Sequence, residues 1–345
     1  MIVIDATNLS QSSIQTALSI SSLFNKSIKL QNIKLNSQIL EIIMVLKQAT
    51  NAYVEGAILN SNEVIFQPTK NFNIKKLNIE TNYSYYPFIQ SILIPQLFSN
   101  SISTTSLKYN YDSNSPPIDY LKEVLLKYLN KYITNSSIKI ITSHFDNQNK
   151  SEVVVSIQGK FSLDEELPKL NINYHKNLIA IKTNINLTQD FIQQKIMQKI
   201  IDLLKLSFSS SKLTSTINTN VIQSSSGISI NSFALYGEQN YDNYSPYIKQ
   251  IYINPEINTF KENYQKIILD YVNQIKQIII KDGLDEQTTI NLLPLIAITK
   301  GEIITTQITQ EIKDNIFVLE KLLDIEFKIN KNQISCNDIV SINDL

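Results

Sequence analysis

The order of predicted elements repeats within this chain, and that repeat restricts the fold more than any other feature. A strand, a helix, a strand, a helix and two strands follow one another twice within about 160 residues. Apolar residues recur at helical spacing in the helices, and β-branched and aromatic residues fill the strands. Such a repeat predicts small α/β units, each a sheet covered by two helices. The predicted helices of the two repeats are 13–24, 38–51, 84–98 and 117–133.

An insertion and a third unit are predicted for the rest of the chain. Residues 177–235 have the pattern of a compact α/β segment, with a helix at 188–206, and a helix at 311–323 closes the third repeat. The predicted fold class is α/β (α+β), with three repeated βαβαββ-type units forming a large domain and a small α/β domain inserted before the third unit. The predicted boundaries are a large domain at 1–176 and 251–332, an inserted domain at 177–250 and a C-terminal tail at 333–345.

Length and composition set further limits. With 345 residues the chain is long for a single hydrophobic core, so either a large domain with an inserted one or two domains are expected. No run approaches the roughly 18 apolar residues of a membrane span, and the first residues lack the basic and apolar stretches of a signal peptide. The single cysteine, Cys336, lies in the expected tail and has no disulfide partner in the chain. We therefore expect a cytoplasmic protein with no membrane partner.

All 31 basic residues are lysine. The formal net charge is zero and there is no acidic or basic tail, which removes the simplest electrostatic argument for nucleic acid. Without arginine, the chain has no planar guanidinium for bidentate binding of phosphate. Any phosphate contact must therefore come from lysine, from backbone N–H groups or from hydroxyls.

The first 30 residues have the outline of a phosphate-binding loop without its glycines. A strand, "MIVID", leads through "ATNLSQSS" at 6–13 into the predicted helix. Such a loop binds phosphate through N–H groups at the helix N-terminus, and glycine lets the backbone come close. The first glycine of this chain is Gly56. Helix capping explains the serines at 10–13, although they also offer N–H groups and hydroxyls to an anion.

Five stretches, scattered along the chain but in a fixed order, carry a resemblance. They are "MIVID…QTALSISSLFNKSIKLQNIKLN", "VEGAILNSNEVIFQP", "SPPIDYLKEVLLKYL", "DEQTTINLLPLIAI" and "DNIFVLEKLLDIEFKI". Together they resemble the RNA 3′-terminal phosphate cyclase family across about residues 1–330, where the family has for example "VEGAELGSTELEFRP" and "TNIWVVEQFLGVEFEV". The resemblance implies the fold already predicted, three repeated units with a small inserted domain. Active members of the family use ATP to adenylate a histidine, pass AMP to an RNA 3′-phosphate and close a 2′,3′-cyclic phosphate. A non-catalytic branch acts in ribosome biogenesis and binds a GTPase.

The position of the family's adenylated histidine is occupied by a carboxylate in this chain. Counting back from Asn315 and Ile316 of the "HLxTNI" motif places Glu311 at that position. The glycine-rich opening loop and the family's arginines are also missing. The resemblance therefore implies no catalytic residue here, and no cofactor, whereas an active protein would need ATP and Mg²⁺.

A remnant of the family's adenine pocket is expected around "SPPIDYL". Pro116, Pro117 and Asp119 match family residues near that pocket, although Ser-Pro-Pro is also an ordinary helix opening. Asn291 and Ile290 stand where the family has glutamine and aspartate. The expected cofactor-binding remnant is therefore Pro117, Asp119 and Asn291. Isolated further matches are Gln38, Thr81, Ser84 and Glu152.

Other reactive residues are given ordinary roles. His144 and His175 are interpreted as surface or hinge histidines, no residues have metal-ligand spacing, and Cys336 has no histidine near it in sequence. We therefore expect no metal site. Tyrosines at 82–88 and 240–247 lie near lysines, as in surfaces that stack RNA bases, but they are also normal in a tyrosine-rich chain.

Three functional hypotheses remain. The first is a catalytically inactive cyclase-like protein that works as a binding or scaffold protein, with RNA or a protein of RNA processing or ribosome assembly as its partner. The alternative is a divergent but active RNA 3′-phosphate cyclase, with Glu311 as nucleophile or another way of holding phosphate. The third is a structural subunit that keeps the fold as a dimerisation platform, which would make the chain a homo-oligomer.

Overall fold

The described part of the chain consists of three units and one insertion. The sheets of the three units share the same order of strands. None of the helices found there is both long enough and apolar enough to cross a membrane. The structure is a computed structural model that describes residues 1–69, 75–99, 101–144, 149–163, 165–172, 178–188, 194–210, 214–222, 228–236, 247–253, 258–279 and 283–338.

The first unit is a four-stranded sheet covered by two capped helices. Its first two strands are parallel, and the order across the sheet is first, second, fourth, third. Ser10 and Asn36 cap the two helices by accepting a backbone N–H in the first turn. The elements are β1 (Ile2–Asp5), α1 (Gln11–Phe24), β2 (Ile28–Gln31), α2 (Ser37–Thr50), β3 (Tyr53–Glu55) and β4 (Glu63–Gln67).

The second unit repeats the strand order of the first. The helix predicted at 117–133 is not continuous, because the N–H of Leu126 bonds the carbonyl of Leu121, five residues back, in a π turn. The elements are β5 (Lys76–Glu80), α3 (Tyr86–Leu97), β6 (Ser103–Tyr109), α4 (Ile118–Tyr120), the π turn (Leu121–Leu125), α5 (Leu126–Tyr128), a 3₁₀ turn (Asn130–Tyr132), β7 (Ile133–Thr142) and β8 (Ser151–Gly159), in the sheet order β5-β6-β8-β7.

The insertion interrupts the third unit after that unit's first strand, β9 (Asn171–Ile172). It forms its own sheet in the order β11-β10-β12-β13, and its two helices pack against each other. The predicted boundary at residue 250 falls inside a strand of this sheet, because the alternation there continues to Ile253. The elements are β10 (Leu178–Thr188), α6 (Gln194–Ser209), β11 (Ser215–Ile222), β12 (Ile228–Tyr236), β13 (Tyr247–Ile253) and α7 (Asn258–Ile279).

The third unit completes the repeat, with β9 parallel to the second strand of its sheet in the order β9-β14-β16-β15. The tail predicted from residue 333 is wrong over residues 333–336, since they form a strand between two neighbours and Cys336 is fully buried. The remaining elements are α8 (Glu286–Thr299), β14 (Glu302–Ile304), α9 (Gln310–Leu323), β15 (Phe327–Asn330) and β16 (Gln333–Cys336).

One apolar core runs through all three units, so the predicted α+β class with repeated units is confirmed. Apolar residues of the insertion, such as Ile185, Leu204 and Ile275, are buried outside that core. Phe233 on β12 is the exception, because it is fully buried and belongs to the main core. The described part of the insertion therefore has its own small core, and Phe233 anchors it in the large domain.

Candidate functional site

The N-terminus of α1, where the sequence outlines a phosphate loop, is bonded to carboxylates of α9. The N–H of Ser10 donates to Asp314 Oδ2 at 3.1 Å, and the Ser10 hydroxyl caps the helix by accepting from the N–H of Ser13 at 3.3 Å. Gln310 donates to the other oxygen of Asp314 at 2.8 Å. The carboxylate of Asp314 thus accepts a hydrogen bond from an N–H group that the helix N-terminus would offer to a bound anion.

Glu311 itself lies against the same turn of α1. The Ser12 hydroxyl donates to Glu311 Oε1 at 2.5 Å, and the Asn315 side chain donates to the Ser12 oxygen at 3.0 Å. Thr16, one turn further along α1, donates to Asn315 at 2.6 Å. Because Glu311 is in the first turn of α9, the helix dipole of α9 also favours its negative charge. The turn that would face a phosphate therefore faces a carboxylate of the chain itself.

A second concave site lies at the start of α4, where Pro117 and Asp119 line a pocket together with Tyr85 and Tyr109. Its enclosed cavity is about 30 Å³, which holds about two water molecules. Ser84 and Ser115, joined by a 2.7 Å hydrogen bond between their hydroxyls, also line it. A cavity therefore lies beside Pro117 and Asp119, but it is narrow.

Asp119 joins this pocket to the insertion. Its Oδ2 accepts hydrogen bonds from Asn186 on β10 and Asn231 on β12, each at 2.7 Å. Burial raises the pKa of Asp119, although the two amides act in the opposite direction. A carboxylate on the large domain is therefore held by two amides of the inserted sheet.

Asn291, the third residue of the predicted remnant, does not line this pocket. Its amide donates to the Tyr86 hydroxyl and, at 2.7 Å, to the carbonyl of Gln287. The neighbouring Tyr120 hydroxyl bonds Thr288 at 3.0 Å. Asn291 therefore links α8 to α3 and α4. Of the three residues of the predicted remnant, the structure brings together only Pro117 and Asp119.

His144 was given an ordinary role from the sequence, but it lines the same pocket as Asp119. Its backbone N–H donates to Ser151 Oγ at 2.8 Å, and Ser151 Oγ donates to its carbonyl at 3.1 Å. Its Nδ1 is buried with no hydrogen-bond partner among the described residues. Only the pairing of β7 with β8 brings His144 to the pocket, and no motif around it signals this. His175 lies outside the described residues.

The isolated matches are scattered. Thr81 donates to Glu41 at 2.6 Å, Gln38 accepts from Gln11 near the start of α1, and Glu152 is 3.9 Å from the ammonium of Lys108. Each has a partner within the chain, so none points to a ligand by itself.

Of the tyrosines at 82–88, Tyr85 and Tyr86 do not lie on a surface that could stack RNA bases. Tyr85 and Tyr86 are buried, and their rings contact Tyr109 and Tyr120. The stacking alternative therefore does not hold for these two residues, because the helix they begin turns them into the core. Residues 240–246 of the second group lie outside the described residues.

The described residues contain no group of three histidine, cysteine or acidic side chains that could hold a metal. Burial raises the pKa of the Cys336 thiol above its ordinary value. This strand residue therefore lacks the thiolate character of a nucleophile.

Comparison with known proteins identifies the family. The sequence profile of the RNA 3′-terminal phosphate cyclase family matches residues 10–329. The chain belongs to this family. An RNA 3′-terminal phosphate cyclase of Saccharolobus islandicus is 23% identical over 334 residues, which is 92% of each chain. The resemblance drawn from five short motifs is thereby confirmed.

Other cyclases match over shorter segments. Those of Archaeoglobus fulgidus and Desulfurococcus amylolyticus are 29% and 33% identical over 140 and 134 residues, and the match covers 42% and 38% of their length. An EPSP synthase of Acinetobacter baumannii overlaps 98% of this chain and 65% of its own, with a TM-score of 0.33 and 9% identity. That likeness is too low to support an argument about fold or function.

Proposed function

We propose that this member of the cyclase family transfers no nucleotide and works as a binding or scaffold protein in RNA processing or ribosome assembly. The observation that carries the proposal is the Ser12–Glu311 hydrogen bond of 2.5 Å. The resemblance puts Glu311 at the family's nucleophile position, and this bond holds its carboxylate against the first turn of α1, beside the expected phosphate loop. A carboxyl–AMP anhydride also differs in stability from the phosphoramidate that a histidine forms.

Electrostatics support this proposal. A triphosphate at the start of α1 would meet the carboxylates of Glu311 and Asp314, and like charges at close range repel strongly in a partly buried site. The N–H of Ser10 is already bonded to Asp314. Neither arginine nor glycine is present in the loop to compensate. The residues present therefore do not fit a bound ATP at this position.

The adenine side of the site supports the same conclusion. Ligand pockets are typically about 300–1,000 Å³, whereas the cavity beside Pro117 and Asp119 is about 30 Å³. Asn186 and Asn231 already occupy one oxygen of Asp119. What the family motif retains here is a junction between the large domain and the insertion.

The test is incubation of the purified chain with radiolabelled ATP and Mg²⁺, followed by denaturing electrophoresis. We expect no covalent AMP, and no rise in melting temperature with ATP, since a ligand that binds the native state stabilises it. Labelled protein whose label is lost in Glu311→Ala would overturn the proposal.

An active cyclase is the second candidate, and one observation favours it. His144 brings an imidazole to the pocket of Pro117 and Asp119, and its buried Nδ1 has no hydrogen-bond partner in the part of the chain that the structure describes. Histidine is the residue type that active family members adenylate. If the wild-type chain takes label, loss of the label in His144→Ala but not in Glu311→Ala would assign the nucleophile to this pocket.

A further inference from the structure

The insertion is joined to the large domain by side chains and not by a shared sheet. Among the described residues, no strand of the insertion pairs with a strand of the three units. The buried apolar residues of the insertion belong to its own core, except for Phe233, which is buried in the core of the large domain. Two domains of one chain move relative to each other unless the interface between them is large and hydrophobic. With one apolar anchor in the described part of this junction, we expect such motion here.

Two carboxylates of one helical segment hold the insertion against the large domain. Asp119 in α4 accepts hydrogen bonds from the amides of Asn186 and Asn231, each at 2.7 Å. Glu123 in the π turn that follows lies 2.8 Å from the ammonium of Lys182 on β10. Both carboxylates are buried. We call these five residues the polar latch, because they connect the two domains without apolar packing.

An open cleft lies directly beside the polar latch. It separates Lys122 and Glu123 from Asn184, Ile217 and Asn218 of the inserted sheet, and its volume is about 490 Å³. At about 30 Å³ for each water molecule, this is space for roughly 16 waters. Ile217 is the one apolar residue among the described residues that line it. Protein interiors are close-packed and have few voids larger than a water molecule, so the two domains are not packed against each other along this side.

The pocket beside Pro117 is lined by residues of both domains. Most of its lining belongs to the second unit, with His144 among these residues, and the rest is Asn186, Ser229 and Asn231 of the insertion. The enclosed volume is about 30 Å³ while the insertion is docked in this way. Because Asn186 and Asn231 also belong to the polar latch, release of the latch removes this part of the lining.

We propose that the insertion is a hinged cover of this pocket and that the polar latch holds the cover closed. Asp119 lines both the pocket and the cleft, so the latch itself separates these two spaces. When the insertion moves away, water replaces the hydrogen bonds of the latch, and the pocket joins the cleft. Withdrawal of Phe233 from the main core opposes this motion, because it exposes apolar surface. The closed form is therefore the major one, and the open form is a minor state of the same chain.

The first experiment measures the distance between the two domains by electron paramagnetic resonance of the full chain. Spin labels on Lys205→Cys in α6 and Lys313→Cys in α9, both at exposed positions, report how the insertion is placed on the large domain. Cys336 is fully buried, and the chain without added cysteines is the control for background labelling. We expect one main distance in the labelled parent chain. A second distance should have a several-fold larger share in Asp119→Ala, because that variant loses both amide bonds of the latch.

A second variant tests the latch without changing Asp119. Lys182→Ala removes the ion pair with Glu123 at a half-buried position of the insertion, and it should raise the share of the same second distance. The effect should be smaller than in Asp119→Ala, because both amide bonds remain. The matched control is Lys199→Ala, at an exposed lysine of α6, which should give the distances of the parent chain. If Asp119→Ala does not fold, Lys182→Ala decides. Unchanged distances in the folded latch variants would overturn the hinge.

The second experiment tests whether the motion uncovers the pocket. Diethyl pyrocarbonate modifies accessible imidazole rings, and peptide mass spectrometry reads His144 separately from His175. We expect His144 to be modified several-fold faster in Lys182→Ala than in wild type, and at the wild-type rate in Lys199→Ala. A second distance without faster modification of His144 would overturn the cover, because the insertion would then move without opening the pocket. Neither measurement involves ATP, so nucleotide transfer by the chain would overturn the proposed function and leave this inference unaffected.

Discussion

The amide of Asn186 donates to the carboxylate of Asp119 at 2.7 Å, which joins the inserted sheet to the start of α4. A second amide, from Asn231, reaches the same oxygen at the same distance. All three side chains are at least nine-tenths buried. The residue that the family motif preserves therefore positions one domain on the other.

Replacing Asp119 by alanine should destabilise the protein. The amides of Asn186 and Asn231 would lose an acceptor in a buried place, and a buried donor without a partner costs about 1–3 kcal/mol. We expect a loss of that size in the free energy of unfolding, measured with urea. Asp270→Ala, at an exposed aspartate on α7, is the control and should be near neutral. Equal losses of stability in both variants would show that the hydrogen bonds from Asn186 and Asn231 to Asp119 contribute nothing specific.

The same carboxyl should make stability depend on pH. Burial raises the pKa of Asp119 above its ordinary value of 3.8 in the folded state, so the folded protein holds this proton more tightly than the unfolded chain. Its contribution to stability is fully present below 3.8 and is lost as pH rises through the folded pKa. Urea unfolding should be measured from pH 3.8 up through the folded pKa of Asp119. Over this range the wild type should lose stability as the pH rises, relative to Asp119→Asn, whose side chain stays neutral.

Glu123 and Lys122 are the charged groups that act on Asp119, and both variants of that comparison retain them. The comparison therefore changes only the side chain at position 119. Parallel curves for wild type and Asp119→Asn would contradict a raised pKa.

The sequence predicts the repeated units better than it predicts the site. The spacing of apolar residues locates α1, α2 and α9 to within about two residues, because a helix covering a sheet buries one continuous face. Cys336 was misplaced in a tail because β16 is a four-residue strand, too short for alternation to stand out. Glu311 was found only through the family motif.

Contacts between distant residues account for what the sequence missed. Asp119 lies 112 residues from Asn231 in sequence, and no local pattern connects them. His144 reaches the pocket only because β7 and β8 pair. The tyrosines at 82–88 allow an exposed stacking surface as one alternative, although α3 turns Tyr85 and Tyr86 into the core. Tertiary packing decides these positions, and it leaves no periodic signal.

The bond between Ser12 and Glu311 should be measurable as a coupling energy. Hydrogen bonds to charged groups are worth about 1.5–3 kcal/mol, so a double-mutant cycle of Ser12→Ala and Glu311→Ala should give a coupling in that range. Urea unfolding of wild type, both single variants and the double variant supplies the four values. If the stability losses of the two single variants simply add up in the double variant, Glu311 is not held by Ser12. Ser22→Ala, on the same helix but bonded only to a backbone carbonyl, should be additive with Glu311→Ala.

Glycine is retained where two backbones meet closely. A Cβ at Gly159, the last residue of β8, would lie 1.7 Å from the carbonyl oxygen of Leu97 in α3. Gly159→Ala must therefore push α3 away from the sheet, at a cost of about 1–3 kcal/mol or more. Gln158→Ala, at the neighbouring and partly exposed residue, is the control and should cost little. A neutral Gly159→Ala in thermal unfolding would contradict the close approach of helix and sheet.

A histidine at position 311, where the resemblance expects the family's nucleophile, should not produce nucleotide transfer. Glu311→His removes one carboxylate from the start of α1, but Asp314 still accepts from the N–H of Ser10, and the loop still lacks glycine and any arginine partner. Enzymatic transfer of a nucleotide depends on donors placed in advance to stabilise the developing charge, and this loop has neither glycine nor arginine to supply them. We therefore expect Glu311→His, incubated with radiolabelled ATP and Mg²⁺, to remain unlabelled. An active cyclase of the family, labelled in parallel, is the positive control. Labelling of Glu311→His would instead show that one substitution suffices to block the chemistry and that the rest of the site is intact.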